Sequence, residues 1–229
     1  MEVFTPLVTF IPETNFKTYI MKKLLYLFLT VLIVGCSDED GSNNQSSCNG
    51  DNPVYLDDNG VTIKACDFAS VGDTGVVNGV TYTVVDEAVL RDMVNNGQDV
   101  TKVVTTKVTD MAFMFVYTPF NQPIGDWDVS NVTDMIGIFA DTPFNQPIGN
   151  WDVSNVTLMA AMFSYSAFNQ SIGNWDVSSA TNMNYMFEVS VFNQDLSSWS
   201  VDNVTECNGF SLNATSWTLP QPNFTNCNP

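Results

Sequence analysis

Histidine is absent from all 229 residues, and lysine and arginine together number only seven. The first absence removes the commonest general base, proton shuttle and zinc ligand at once. Triads built on a serine or cysteine nucleophile, and Cys₂His₂ metal sites, are excluded with it. Carboxylate pairs are the remaining route to hydrolysis, which needs two acids in a common cleft. No pattern in the chain marks one, so it reads as a non-enzyme with no cofactor and no metal. The scarcity of basic residues leaves a net charge of −18. From Cys36 onward 23 acids face four bases, a surface that repels phosphate backbones and anionic head groups, because nucleic-acid affinity rests on Lys and Arg releasing counterions. Nucleic acid is therefore not an expected partner.

Long apolar runs are also missing. The longest, Leu24 to Val34, follows Met21, Lys22 and Lys23 and precedes Gly35 and Cys36. As a helix it would reach only about 18 Å against roughly 30 Å of bilayer hydrocarbon. A positive start, an apolar segment and a small residue before a cut are the parts of a secretory signal. The string Ile33, Val34, Gly35, Cys36 resembles the bacterial lipobox, which implies diacylglyceryl attachment to Cys36 and a lipid link to the membrane. Residues 1–20 read as a misassigned upstream start, and 21–35 as the signal. Ser37, Asp38, Glu39 and Asp40 resemble the acidic export tag of Bacteroidetes lipoproteins, which implies the outward face of the outer membrane. Residues 36–53, rich in Ser, Asn, Asp and Gly, read as a flexible tether.

Of five cysteines, lipidation of Cys36 leaves Cys48, Cys66, Cys207 and Cys227. An even number in an exported chain implies disulfides, with three possible connectivities. Pairing near neighbours favours Cys48 with Cys66 and Cys207 with Cys227. A four-thiolate zinc site is the rival, without any CxxC spacing to support it.

Residues 54–102 read as an α+β cap. Val61 to Lys64 is a strand candidate, and Val76 to Val85 a hairpin in which Asn78 and Gly79 suit the positive-φ positions of a type I′ turn. Asp86 can cap a helix through Val94, with Val89, Leu90, Met93 and Val94 as its apolar face and Gly97 past its end.

Residues 103–211 repeat every 24. The columns are Met111, Met135, Met159, Met183; Phe120, Phe144, Phe168, Phe192; the Asn-Gln pairs that follow each of those Phe; Ile124, Ile148, Ile172, Leu196; Trp127, Trp151, Trp175, Trp199; and Val129, Val153, Val177, Val201. Recurrence at one fixed period is the signature of a stacked array. Within each repeat, Ile124 to Val129 is the expected strand and Thr133 to Phe139 an expected short helix. The resulting fold class is an α/β repeat, a leucine-rich-repeat-like right-handed solenoid of about five turns behind the cap. Residues 212–229 close it.

Phe144 to Val153 (FNQPIGNWDV) and Val129 to Met135 (VSNVTDM) resemble the bacterial surface protein repeat of the BspA-like leucine-rich repeat family. That resemblance implies a cell-surface role in adhesion or protein binding, without a shared chemistry. Trp and Phe columns in such arrays are mostly core, and exposed Trp would instead favour glycan stacking. The Asn column is expected to bond neighbouring backbone as a ladder. Asp126, Asp128, Asp152 and Asp176 could contact a ligand or collect cations, while the plainer reading has each Asp capping its own turn. The Asn-x-Thr triplets read as loop chemistry. The functional expectation is a non-catalytic surface lipoprotein that binds an extracellular protein, or alternatively captures a glycan.

Overall fold

In the computed structural model the chain divides into residues 1–42 and 43–229, and the structure describes Cys48 and residues 50–229. The signal segment, Cys36, the acidic tag and most of the tether lie outside the described residues.

The first described elements are small. Strands β1 (Val54–Leu56) and β2 (Ile63–Ala65) pair antiparallel, with Leu56 opposite Ile63. The strand expected over Val61 to Lys64 thus starts two residues later and ends one later, because Asn59 takes the Val61 and Thr62 amides on its side-chain oxygen and prolongs the turn. Strands β3 (Thr74–Val77) and β4 (Val80–Val84) form the hairpin. Asn78 and Gly79 take φ of 51° and 78° at its tip, as a type I′ turn demands. Strand β5 (Val103–Val104) adds parallel to β4, and Ile63 bridges parallel to Trp127, which stitches this sheet region to the first repeat.

Helix α1 (Glu87–Asn95) begins at Asp86, whose side chain accepts the Val89 amide at 2.9 Å. It ends in a Schellman pattern: the Gln98 amide donates to the Met93 carbonyl, the Gly97 amide to that of Val94, and Gly97 sits at φ 64°. Leu90 is fully buried and Met93 and Val94 pack partly against the core, whereas Val89 is exposed. Positions 90, 93 and 94 share a helical face; 89 is rotated about 100° from 90 and leaves it.

Beyond residue 108 the main core is built from the columns. Phe144, Phe168, Phe192, Ile124, Ile148, Ile172, Met111, Met135, Met159 and Met183 are wholly buried. The Phe rings stack down the column about 6 Å apart, Phe120 on Phe144, Phe144 on Phe168 and Phe168 on Phe192. Residues 24 apart are joined by parallel bridges, Asp110 to Asp134, then to Leu158, Asn182 and Glu206.

The local elements differ from those expected. Ile124 to Val129 holds no strand: the Trp127 amide turns back to the Ile124 carbonyl, and Pro123 can donate nothing to a ladder. Thr133 to Phe139 is not helical either. Met111 accepts from Met114 and Phe115 from Thr118, two consecutive turns, while the amides of Met111, Phe113, Phe115 and Tyr117 donate outward to Asp134, Ile136, Ile138 and Ala140. The same pattern follows in the next three segments, except that the Phe139 carbonyl accepts the Thr142 hydroxyl in place of an amide. Most of the amides that a helix would spend internally go to a turn or to the following segment, and those of Ala112, Ile136 and Asn184 go to the side chains of Asp110, Asp134 and Asn182, so backbone donors find partners without a helix. Met135, Ile138 and Phe139 still face inward, since tandem turns present the same spacing of apolar corners as a helix.

Three side-chain ladders reinforce this. The Trp column donates its indoles back to carbonyls, Trp127 to Val100, Trp151 to Ile124, Trp175 to Ile148 and Trp199 to Ile172. The Asn121 oxygen accepts the Asn145 amide, Asn145 that of Asn169, and Asn169 that of Asn193. Thr133, Thr157, Thr181 and Thr205 each donate their amide to the Thr 24 positions earlier, while Asn131, Asn155 and Asn203 reach back to carbonyls with their side-chain amides. Both ends of those three Asn-x-Thr triplets therefore hold segments together. Gly125 is required by closeness alone, as a Cβ there would stand 2.6 Å from the Pro147 carbonyl oxygen.

Candidate functional site

The Trp column lies between 1% and 5% exposed, so it offers no stacking surface. The Asp column is used locally. Asp128, Asp152 and Asp176 each accept the amide two residues on, and Asp128 and Asp152 also take the Ser130 and Ser154 hydroxyls at 2.6 Å. Among the described residues no three His, Cys, Asp or Glu side chains come together as a metal site. Cys48 joins Cys66 and Cys207 joins Cys227, with Cα separations of 5.6 and 5.8 Å.

Two of these carboxylates have unusual surroundings. Asp128 is 2% exposed, and its second oxygen has no partner. It lines a cavity of about 110 Å³ with Asp57, Asn59, Lys64 and Asp152. Burial opposes the charge on Lys64, but Asp128 and the bonded Asp57, 3.4 Å away, outweigh it and hold its pKa above the ordinary lysine value.

Asp126 is set apart from Asp128, near Tyr82, and burial raises its pKa, outweighing the polar contacts that lower it. A carboxyl whose folded pKa is raised supports the fold while protonated and ceases to as pH rises through the folded value. Asp126→Asn should therefore be more stable than the wild type at neutral pH. The advantage should shrink as pH falls through the folded value and be gone by about pH 3, below the ordinary Asp value of about 3.9, where the carboxyl is neutral in the folded and the unfolded chain alike. Urea unfolding at the two pH values checks the sign.

The tandem turns create a feature that no sequence column marked. Phe113, Gly137, Ala161, Tyr185 and Gly209 all take φ between 53° and 64°, and so do Tyr117, Asp141, Tyr165 and Asn213, with Val189 at 51°. Each is the third residue of its turn, the place where type II geometry needs positive φ. Glycine, Asn and Asp tolerate this readily; an aromatic or β-branched residue there costs about 1–2 kcal/mol. Val189→Asn, matching Asn213 in the same column, should raise stability by about 1 kcal/mol in thermal unfolding.

Against that cost, three aromatic side chains stand out from the surface: Phe113 is 55%, Tyr117 79% and Tyr165 56% exposed. With Gly137, Ala140, Asp141, Ala161 and Ser164 they line a cleft of about 430 Å³. The Phe113 ring lies across Gly137, where an added Cβ would stand 2.8 Å from its edge. Tyr185 lies across Gly209 in the same way, with its hydroxyl held by Asn208 at 2.7 Å. Tyr117, Asp141 and Tyr165 occupy one column in three successive segments. Asp141 is exposed and takes part in none of the three ion pairs among the described residues. Glu188 accepts the Ser164 hydroxyl beside the cleft. From Val108 to Pro229 the chain contains eleven acids and no Lys, Arg or His.

A family model described as "Mycoplasma protein of unknown function, DUF285" matches residues 85–188 and, in a second overlapping match, 144–227. No curated protein and no solved structure matches the chain.

Proposed function

We propose that this chain, which belongs to the DUF285 family, is a non-catalytic surface lipoprotein that binds an extracellular protein through a face of its repeats. In this reading Cys36 carries the lipid and holds the chain at the outer membrane, facing outward, while residues 36–53 act as tether and 54–102 as cap. The repeats stack as a BspA-like, leucine-rich-repeat-like right-handed solenoid. What supports the stack is the run of bridges and side-chain ladders at 24-residue intervals. What carries the binding reading is the cleft of Phe113, Tyr117 and Tyr165. Exposed aromatics on strained backbone cost stability, and such strain concentrates at functional sites. Aromatic anchors also dominate protein interfaces.

Glycan capture is the second reading, and one observation keeps it in play: the same exposed rings could stack on sugars, although the Trp column cannot. The full chain would be screened against arrays of purified extracellular proteins and of glycans, beside a Tyr117→Gly/Tyr165→Gly variant whose backbone suits both positions. Protein binding that falls about tenfold or more in the variant, the loss expected of a hot spot, supports the proposal. Glycan binding with the same loss transfers the site to the second reading. No binding on either array removes both.

A further inference from the structure

The geometry points to the occupant of the cleft being a cationic side chain, an arginine of a basic segment on the protein partner; this rests on the protein-binding reading above. Tyr117 and Tyr165 lie in one column two segments apart, with Asp141 between them on the same cleft wall. Rings one segment apart stand 5.5 and 5.8 Å apart in the adjoining Phe115, Phe139 and Phe163 column, which sets the two tyrosines roughly 11 Å apart at two segments' separation. A cation midway lies about 5.5 Å from each, within the roughly 6 Å reach of a cation–π contact. It also meets the carboxylate of Asp141. Ala140, with only a methyl side chain, leaves room for a group to settle between the rings.

The chemistry narrows further. Asp141 and Glu188, in a stretch of 122 residues without one basic side chain, repel anionic ligands and raise the local concentration of cations. A hard metal ion wants six or more oxygen ligands, and no three carboxylates converge among the described residues. Aromatic walls do not ligate such ions. An organic cation fits both walls and acid. Guanidinium fits better than ammonium, because its plane stacks on rings while its edge reaches a carboxylate bidentately.

The test titrates an oligo-arginine peptide into the immobilised full chain at physiological salt, where long-range attraction is screened. Asp141→Asn and Tyr117→Gly should each weaken binding roughly tenfold, and both residues suit their left-handed positions. Asp202→Asn removes an equal charge from an exposed site elsewhere and should leave binding unchanged. Equal weakening by Asp202→Asn and Asp141→Asn would overturn the inference in favour of diffuse attraction. Absence of peptide binding would also overturn it; if the protein array still shows binding lost in the Tyr117→Gly/Tyr165→Gly variant, the interaction reading survives. Competition by a neutral oligosaccharide but not by free arginine would overturn it as well.

Discussion

Phe163→Ala should lower the unfolding free energy by about 3–5 kcal/mol, the range for deleting a buried aromatic ring. The ring is wholly buried, 4.2 Å from Phe168 and within 5.4–5.8 Å of Phe187 and Phe139, all close to parallel. Its loss therefore removes contacts to the segment before and the segment after as well as to its own. The neighbours cannot collapse into the gap, because each amide that positions them is already bonded about 24 residues away: Phe139 to Met162, Ala161 to Asn184, Phe163 to Met186. The lining is apolar, so water gains nothing by entering. Against a total stability on the order of 5–15 kcal/mol, the substitution should lower the unfolding midpoint markedly in both heat and urea. Tyr165→Gly, two residues on, is the internal control. Its ring is exposed and its backbone is already left-handed, so the midpoint should hold or rise. A Phe163→Ala effect below about 1 kcal/mol would show that the segments relax independently, contrary to the bonding between them.

Much of the sheet and helix region was legible because its signals are local. Asn78 and Gly79 name the hairpin turn, Asp86 and Gly97 the helix ends, and each acts through its own backbone. The buried columns were legible for a different reason: fixed recurrence implies identical environments, and aromatic residues in such environments are core. The Asn ladder followed from the need of a recurring amide for partners.

The turn geometry was hidden for physical reasons as well. Apolar residues at Met135, Ile138 and Phe139 satisfy a helix and a pair of turns equally, so spacing alone could not separate them. The deciding signal was left-handed backbone, and along any single segment it is masked by Phe113, Tyr117, Ala161, Tyr165, Tyr185 and Val189, residues that rarely adopt it. Only down the columns do Gly137, Gly209, Asp141 and Asn213 expose the requirement. The candidate site was missed with it, since attention to conserved-looking columns selects the core, whereas the cleft depends on where the columns vary. The Asp column illustrates the converse: its regularity reflects turn closure through Ser130 and Ser154, a role any segment needs, while the variable position of Asp141 places an unpaired charge beside aromatic rings.

Removing the Cys207–Cys227 link in a Cys207→Ala/Cys227→Ala variant, which leaves Cys48–Cys66 intact, should cost about 3 kcal/mol, the chain-entropy value for a loop of this length; the two cysteines are 20 residues apart. The loss should be uneven along the chain. Every earlier segment is held from both sides, but the one beginning at Cys207 has no following segment to bond. It is closed instead by Trp217, edge-on to Phe187 and Phe192, and by Phe224 against Phe210, with the Leu196 amide donating to Pro220. The disulfide ties that closing stretch to the core. Without it, residues 208–227 should open locally, since elements bonded mainly to neighbours lose stability from an unprotected end. Three amides report the event: Tyr185, Phe187 and Val189 donate to Asn208, Phe210 and Leu212. Their hydrogen exchange should accelerate in the double variant, while the equivalent amides of Phe113, Phe115 and Tyr117, at the opposite end, keep their protection. Acceleration of both sets alike would mean that the repeats unfold as one block, and the closing segment would then have no separate part in their stability.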